Sequence, residues 1–216
     1  MTILPFRTEQ ERRVALPAVV AHLRADRLIA YPTETVYGLG GAAAPAAVAA
    51  LQDLKGRDPT RPFLLLIRQP DQAPTMQWND TARLLARHFW PGPLTIAVPA
   101  VAGLPAGIVS EDGLVAVRSS PHEGVQAIVD AFGAPVTSTS ANAPGAAPAM
   151  SAAGVVAALE ALGGRDVLVL DGGALPTSAP STVVRCDDGR VHVLRAGAIT
   201  VAELRDRLRE SRIDVD

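Results

Sequence analysis

The chain has 216 residues, 48% of them hydrophobic, which is enough to bury a sizeable core as one large domain. A formal net charge of −2 excludes a global field that would draw in nucleic acid or an anionic membrane, while leaving room for a local basic patch. No apolar run reaches the roughly 18 residues of a bilayer crossing, Met1–Pro5 lack a basic stretch leading into an apolar one, and the single Cys186 excludes an internal disulfide, so a cytoplasmic chain is expected.

Taken in order, short β-like runs alternate with longer helical ones. The strand candidates are Leu28–Tyr31, Phe63–Ile67, Leu94–Val98, Leu114–Arg118, Ala134–Thr137, Val167–Leu170, Thr182–Cys186 and Arg190–Leu194. The helix candidates are residues 17–26, 46–55, 80–88, 123–132, 152–162 and 201–210. Pro17 suits a first helical position, Asn79 suits a cap, and Thr200 with Glu203 has capping-box spacing. Alternation of this kind predicts an α/β sheet covered by helices. The last three strand candidates follow one another closely and predict an antiparallel portion, hence a mixed sheet. Residues 143–151 and 171–181 are rich in Gly, Pro, Ala and Ser and long enough to be site loops or lids.

Lys55 is the only lysine, against nineteen arginines. Where Arg serves everywhere else, the retained ammonium suggests a crowded anion that a planar guanidinium would not fit; the alternative is a residue left on a solvated face. Lys55, Arg57 and Arg61 put three cations within seven residues, without the G-x-x-x-x-G-K-[ST] of a P-loop, so a phosphate clamp of another kind is expected.

Three segments offer hydroxyls near strand ends. Tyr31-Pro32-Thr33-Glu34-Thr35-Val36-Tyr37-Gly38-Leu39-Gly40-Gly41 combines two threonines with a glycine-rich turn, and either a ligand loop or an ordinary turn fits. Its G-x-G-x-x-A is too far from the preceding strand for a dinucleotide fingerprint. Thr137-Ser138-Thr139-Ser140-Ala141-Asn142 places four hydroxyls and an amide after a short strand, at the end where open α/β sheets bind ligands; an edge strand running into a turn is the alternative. Ser181-Thr182-Val183-Val184, with Arg195 further on, is weaker alone. Trp90-Pro91-Gly92-Pro93 reads as a rigid turn. There is no G-x-S-x-G, and Cys186 lies in an apolar strand, so nucleophilic hydrolysis finds little support. The histidines His22, His88, His122 and His192 show no metal-ligand spacing, so no metal is expected from protein side chains.

Read together, these segments resemble the YrdC/Sua5 family of L-threonylcarbamoyladenylate synthases. Tyr31–Gly40 is similar to the family's N-terminal signature, Lys55-Gly56-Arg57 to its K-x-R element, and Phe89–Thr95 and Val115–Arg118 to two further blocks. Ser140-Ala141-Asn142 matches S-x-N, Ser181–Val184 matches the late S-T-V block, and Leu194–Ile199 resembles the closing R-P-G. The blocks occur in the family's order from about residue 28 to about residue 200. Ala196 stands for the usual proline, Pro144 for a frequent serine, and Leu66 where some members carry a threonine-contacting histidine. Ser120-Pro121-His122 is shifted from R-x-P-x-H, which leaves His122 without a role.

The resemblance implies a single YrdC-like domain over residues 1–216, with its core at about 12–200 and a C-terminal helix at about 200–210, in the family's short form. It implies a twisted mixed parallel and antiparallel sheet flanked by helices around a concave basic cavity. It also implies synthesis of threonylcarbamoyl-AMP from L-threonine, bicarbonate and ATP with Mg²⁺, releasing pyrophosphate. A separate transferase complex would then modify tRNA. By the same resemblance, Lys55 and Arg57 are catalytic. Arg61, Ser140, Asn142 and Arg195 bind the nucleotide and its phosphates, and Thr33, Arg118, Ser138 and Ser181 bind threonine. An RNA-binding module, or a related carbamoyl-adenylate enzyme of the same fold, are the alternatives; the low count of eight aromatics and the acidic balance argue against the first, while weak RNA binding by the enzyme itself stays open.

Overall fold

The computed structural model describes every residue except Pro59 and Ala102. Chain order runs β1 (Thr2–Pro5), α1 (Glu9–Arg24), β2 (Leu28–Pro32), β3 (Tyr37–Gly40), α2 (Pro45–Lys55), β4 (Leu64–Leu66) and α3 (Asp80–Phe89). It continues through β5 (Leu94–Pro99), β6 (Leu114–Arg118), α4 (Glu123–Phe132), β7 (Val136–Ser140), α5 (Ala152–Ala161) and β8 (Val167–Asp171). It closes with β9 (Thr182–Asp187), β10 (Arg190–Arg195), α6 (Val201–Leu208) and β11 (Asp214–Val215). No helix among the described residues is long and apolar enough to cross a membrane.

The strands form one mixed sheet in the order β1-β8-β2-β3-β7-β4-β6-β5-β9-β10-β11. The β9–β10 hairpin is antiparallel, as expected, and so are the β2–β3, β3–β7, β4–β7 and β5–β6 pairs. The strand before the hairpin differs from expectation: β8 pairs parallel with β1 and β2 at the far end of the sheet. Three strands were not visible in the sequence pattern. Of these, β3 contains two glycines, a poor strand composition, yet it pairs with β2 and β7. A Cβ at Gly40 would lie 1.7 Å from the Thr137 carbonyl oxygen, so only glycine admits this approach.

Helix starts follow local chemistry. Asn79 caps α3 by accepting from the Ala82 N–H, and Thr200 with Glu203 forms a capping box on α6. Pro17 does not begin its helix. Thr8 and Glu11 form a capping box, α1 begins at Glu9, eight residues upstream of the expected start, and Pro17 lies inside the helix. The box satisfies orphan N–H groups at the true terminus, and packing of Ala15, Val19 and Leu23 holds the interior proline.

Strand alternation assigns the two faces. Leu28, Ala30, Leu65, Val115, Val117, Val167 and Val169 face a core with α2, α3, α5 and α6. Ile29, Tyr31, Leu66, Leu168 and Leu170 face a smaller core with α1 and α4. These two helices cover one end of their face. The uncovered remainder is where the cavity lies.

Candidate active site

On that open face a cavity of about 760 Å³ is floored by alternate residues of the sheet. Ala116 and Arg118 of β6 line it while Val115 and Val117 turn to the core. Thr95 of β5, Ser138 and Ser140 of β7, and Ser181 and Val183 around β9 join them. The rim comes from Thr33, Thr35 and Val36 in the β2–β3 turn, from Ala147, Pro148 and Met150, and from Thr177, Ser178 and Pro180. The last two groups belong to the segments expected to be site loops. Three guanidiniums, those of Arg57, Arg118 and Arg195, line the cavity, and no carboxylate does among the described residues.

The run Thr137–Ser140 is not the end of a strand but the strand itself, and it lies between β3 and β4 rather than at an edge. Thr137 turns inward and its hydroxyl accepts from the Gly41 N–H at 2.9 Å. Ser138 and Ser140 point to the cavity. A hydroxyl run is tolerated in the middle of the sheet because its alternate members face a polar cavity rather than the apolar core.

Lys55 ends α2, and Gly56 at φ 53° turns the chain back. This left-handed residue stops the helix and brings Arg57 to the cavity. The Lys55 side chain is buried, and its Nζ is fully engaged by one turn. It donates to the Ser140 carbonyl at 2.9 Å, to the Asn142 carbonyl, and to Asn142 Oδ1 at 3.1 Å. Ser140 Oγ donates to the same Oδ1 at 2.6 Å, and Asn142 Nδ2 donates to the Ala146 carbonyl at 2.7 Å. Burial, then the neighbouring Arg57 charge, lowers the Lys55 pKa to about 8. Lys55 and Asn142 therefore stand behind the lining, tied to it through Ser140.

Arg57 is held in a similar way. It donates from Nε to the Arg61 carbonyl at 2.8 Å, from Nη1 to Thr139 Oγ1 at 3.0 Å and from Nη2 to the Pro62 carbonyl at 3.3 Å. Its guanidinium lies 5.0 Å from the centroid of the Phe63 ring. The Arg61 side chain is exposed and lies outside the cavity lining.

Across the cavity, Arg118 is buried and its Nη2 lies 2.8 Å from Glu34 Oε1. The charges meet without hydrogen-bond alignment, since Arg118 Nε and Glu34 Oε1 are both buried without a hydrogen-bond partner. Ser120 Oγ donates to the other carboxylate oxygen at 2.5 Å. The sequence motifs do not single out Glu34, although a carboxylate inside a hydroxyl-rich turn is a usable signal. Thr95 was also missed, because its block reads as a rigid turn. The turn is confirmed, with Trp90 Nε1 donating to the Leu94 carbonyl at 2.7 Å, but it also delivers Thr95 to the floor.

Ser181 Oγ lies 3.0 Å from Thr95 Oγ1 and accepts from Arg195 Nη2 at 3.0 Å. Thr33 spends its hydroxyl on its own turn, accepting from the Val36 N–H at 3.2 Å and donating to the Val36 carbonyl at 2.6 Å. His122 caps α4 through Nδ1, which accepts from the Gly124 N–H at 3.1 Å, and burial lowers its pKa. Cys186 is buried and its thiol is pushed up to about 12, so it is not a thiolate at neutral pH.

The sequence and fold have counterparts among known proteins. The domain model Sua5/YciO/YrdC, described as "Telomere recombination", matches residues 21–197. The chain belongs to the Sua5/YciO/YrdC family.

Among Sua5/YciO/YrdC proteins, a threonylcarbamoyl-AMP synthase of Alkalilimnicola ehrlichii is 36% identical over 185 residues, covering 85% of this chain and 97% of that protein. A threonylcarbamoyl-AMP synthase of Chromohalobacter salexigens is 40% identical over 177 residues, covering 81% of this chain and 94% of that one. The crystal structure of P. abyssi Sua5 complexed with L-threonine superposes with a TM-score of 0.85 at 29% identity. That match covers all of this chain but 63% of the P. abyssi chain, so this member spans less than two thirds of the longer protein's length.

Proposed function

We propose that this chain synthesises threonylcarbamoyl-AMP from L-threonine, bicarbonate and ATP with release of pyrophosphate, for threonylcarbamoyl modification of an adenosine in tRNA by a separate transferase. The observation that carries this reading is the cavity: three guanidiniums and a floor of hydroxyls, in a fold that matches a threonine-bound Sua5 along the whole chain.

In this reading the threonine amine adds to carbon dioxide with loss of a proton, or displaces water from bicarbonate, to give N-carboxy-threonine. Its carboxylate then attacks the α-phosphorus of ATP, and pyrophosphate leaves. No protein nucleophile is needed; the work is to bring mutually repelling anions together and to place positive charge where negative charge develops. Arg118 pairs with the threonine carboxylate through its unsatisfied Nε, Ser138 and Ser181 fix the rest of the amino acid, and Thr33, its hydroxyl committed to its own turn, bounds the amino acid from the rim. Arg57 meets bicarbonate and phosphate oxygens. Lys55 brings its charge to the Ser140–Asn142 turn, against which the phosphates lie, and Arg195 supports the nucleotide. Arg61 acts at longer range from its exposed position.

Mg²⁺ enters with ATP. It is carried by the phosphate oxygens of the nucleotide.

The test is pyrophosphate release with threonine and bicarbonate omitted in turn. Dependence on both is expected. Release that ignores threonine, or that requires carbamoyl phosphate, would overturn the reading.

A further inference from the structure

A second cavity, of about 390 Å³, lies on a different part of the molecule. Successive residues at the end of β6 separate the two: Arg118 lines the first cavity and Ser119 lines the second. The second is walled by Arg83 and Arg87 of α3, Trp90, Arg68, Asp71 and Gln126.

Its charge balance is positive. Arg83 pairs with Asp71 at 3.1 Å and Arg68 with Asp130 at 3.3 Å. Arg87, exposed in the last turn of α3, has no ion-pair or hydrogen-bond partner among the described residues. A cation at a helix C-terminus has an ordinary reason to be there, because it favours the helix dipole. That reason does not account for three guanidiniums converging on one concavity. Nor does it account for Ser119, which is fully buried in the same lining with no partner for its hydroxyl. A buried donor without an acceptor is costly, so its natural complement is an acceptor that enters the cavity. Trp90 supplies a fixed wall: its N–H is tied to Leu94, and its ring meets Trp78 edge-on at 5.9 Å.

We propose that this cavity is a binding site for a small anion of the phosphate class, separate from the substrate cavity. The guanidinium forks would bridge phosphate oxygens, exchanging or sharing their present carboxylate partners. The small, half-open volume suits a compact anion rather than an extended polymer.

The chain supplies its own reporter. Trp78 and Trp90 are the only tryptophans; Trp90 lines this cavity, Trp78 meets the Trp90 ring edge-on, and neither lines the substrate cavity. Inorganic pyrophosphate is titrated while tryptophan emission is read, with sodium chloride at matched ionic strength as control. Because pyrophosphate is also the proposed product, the titration is repeated in Arg57→Ala. A saturable change is expected in the wild type and in Arg57→Ala, with apparent affinity at least threefold weaker in Arg83→Ala and in Arg87→Ala separately. The proposal is overturned by no saturable change, by an equal response to chloride, by unaltered titration in both α3 variants, or by loss of the signal in Arg57→Ala. The last outcome would assign the response to the substrate cavity. None of these readouts depends on turnover, so failure here leaves the proposed reaction standing.

Discussion

The two walls of the substrate cavity use their cations differently. On the side of α2 and β7, Lys55 and Arg57 have their hydrogen-bonding nitrogens engaged, mostly by backbone carbonyls. On the side of β6, Arg118 keeps a buried Nε with no partner and faces Glu34 without hydrogen-bond alignment. The first wall is preassembled: its charges shape a turn and act through it. The second retains donor capacity for an incoming carboxylate. A site that must hold several anions gains from both, since a fixed wall costs no reorganisation when charge develops and an unsatisfied one gives a bound anion a partner to complete.

The largest expected effect comes from breaking the second wall. Arg118→Ala would strand the largely buried Glu34 carboxylate, at a cost of about 3–5 kcal/mol of stability. Urea unfolding measures this, and a loss well under 1 kcal/mol would show that the pair has no structural weight. Pyrophosphate release should also lose its response to threonine in this variant.

On the first wall, Lys55→Ala should lower the rate of pyrophosphate release by about 10²–10³ while the fold is kept. Lys55→Arg should fare little better, because a planar fork cannot reproduce three acceptors gathered around one ammonium. Near-normal turnover in either variant would remove Lys55 from the machinery.

The pH response of Lys55 should carry two opposite signs. With its folded pKa near 8, turnover should fall as pH rises through that value and the ammonium is lost. Stability should move the other way. Between about 8 and the ordinary lysine value of 10.5 the unfolded chain binds more protons than the folded one, so this residue's contribution to stability rises with pH. Lys55→Met should flatten both trends in rate profiles and in denaturation series at several pH values. The smallest effect is expected from Thr139→Val, which removes one of the three ties on Arg57 and should cost about 1 kcal/mol, or several-fold in turnover. An effect as large as that of Lys55→Ala would mean that Arg57 depends on this single bond.

Much of the architecture could be read from local pattern. The eight expected strands and six expected helices all exist, because periods of two and of 3.6 and the capping residues are properties of short segments. The exceptions are instructive. β3 is held by its neighbours on both sides despite its glycines, and the hydroxyl strand β7 is central because one of its faces meets a cavity. Neither reason exists within the segment itself. Among site residues, the ordered motifs marked Arg57, Arg118, Ser138, Ser140, Ser181 and Arg195, all of which line one cavity. They did not mark Glu34, which acts behind the lining, or the outward position of Arg61.

The lone lysine shows where the division falls. The sequence alone determined that an ammonium stands at position 55, at the end of a helix closed by glycine, within a motif of seven ordered blocks. Only the tertiary structure decided what that ammonium does with its protons. Its acceptors come from residues 85 and 87 positions away, on a strand and turn brought beside α2 by the pairing of β7 with β3. A side chain's identity sets its charge and reach, but whether its donors are spent or free depends on atoms distant in sequence, which chain-local periodicity does not specify.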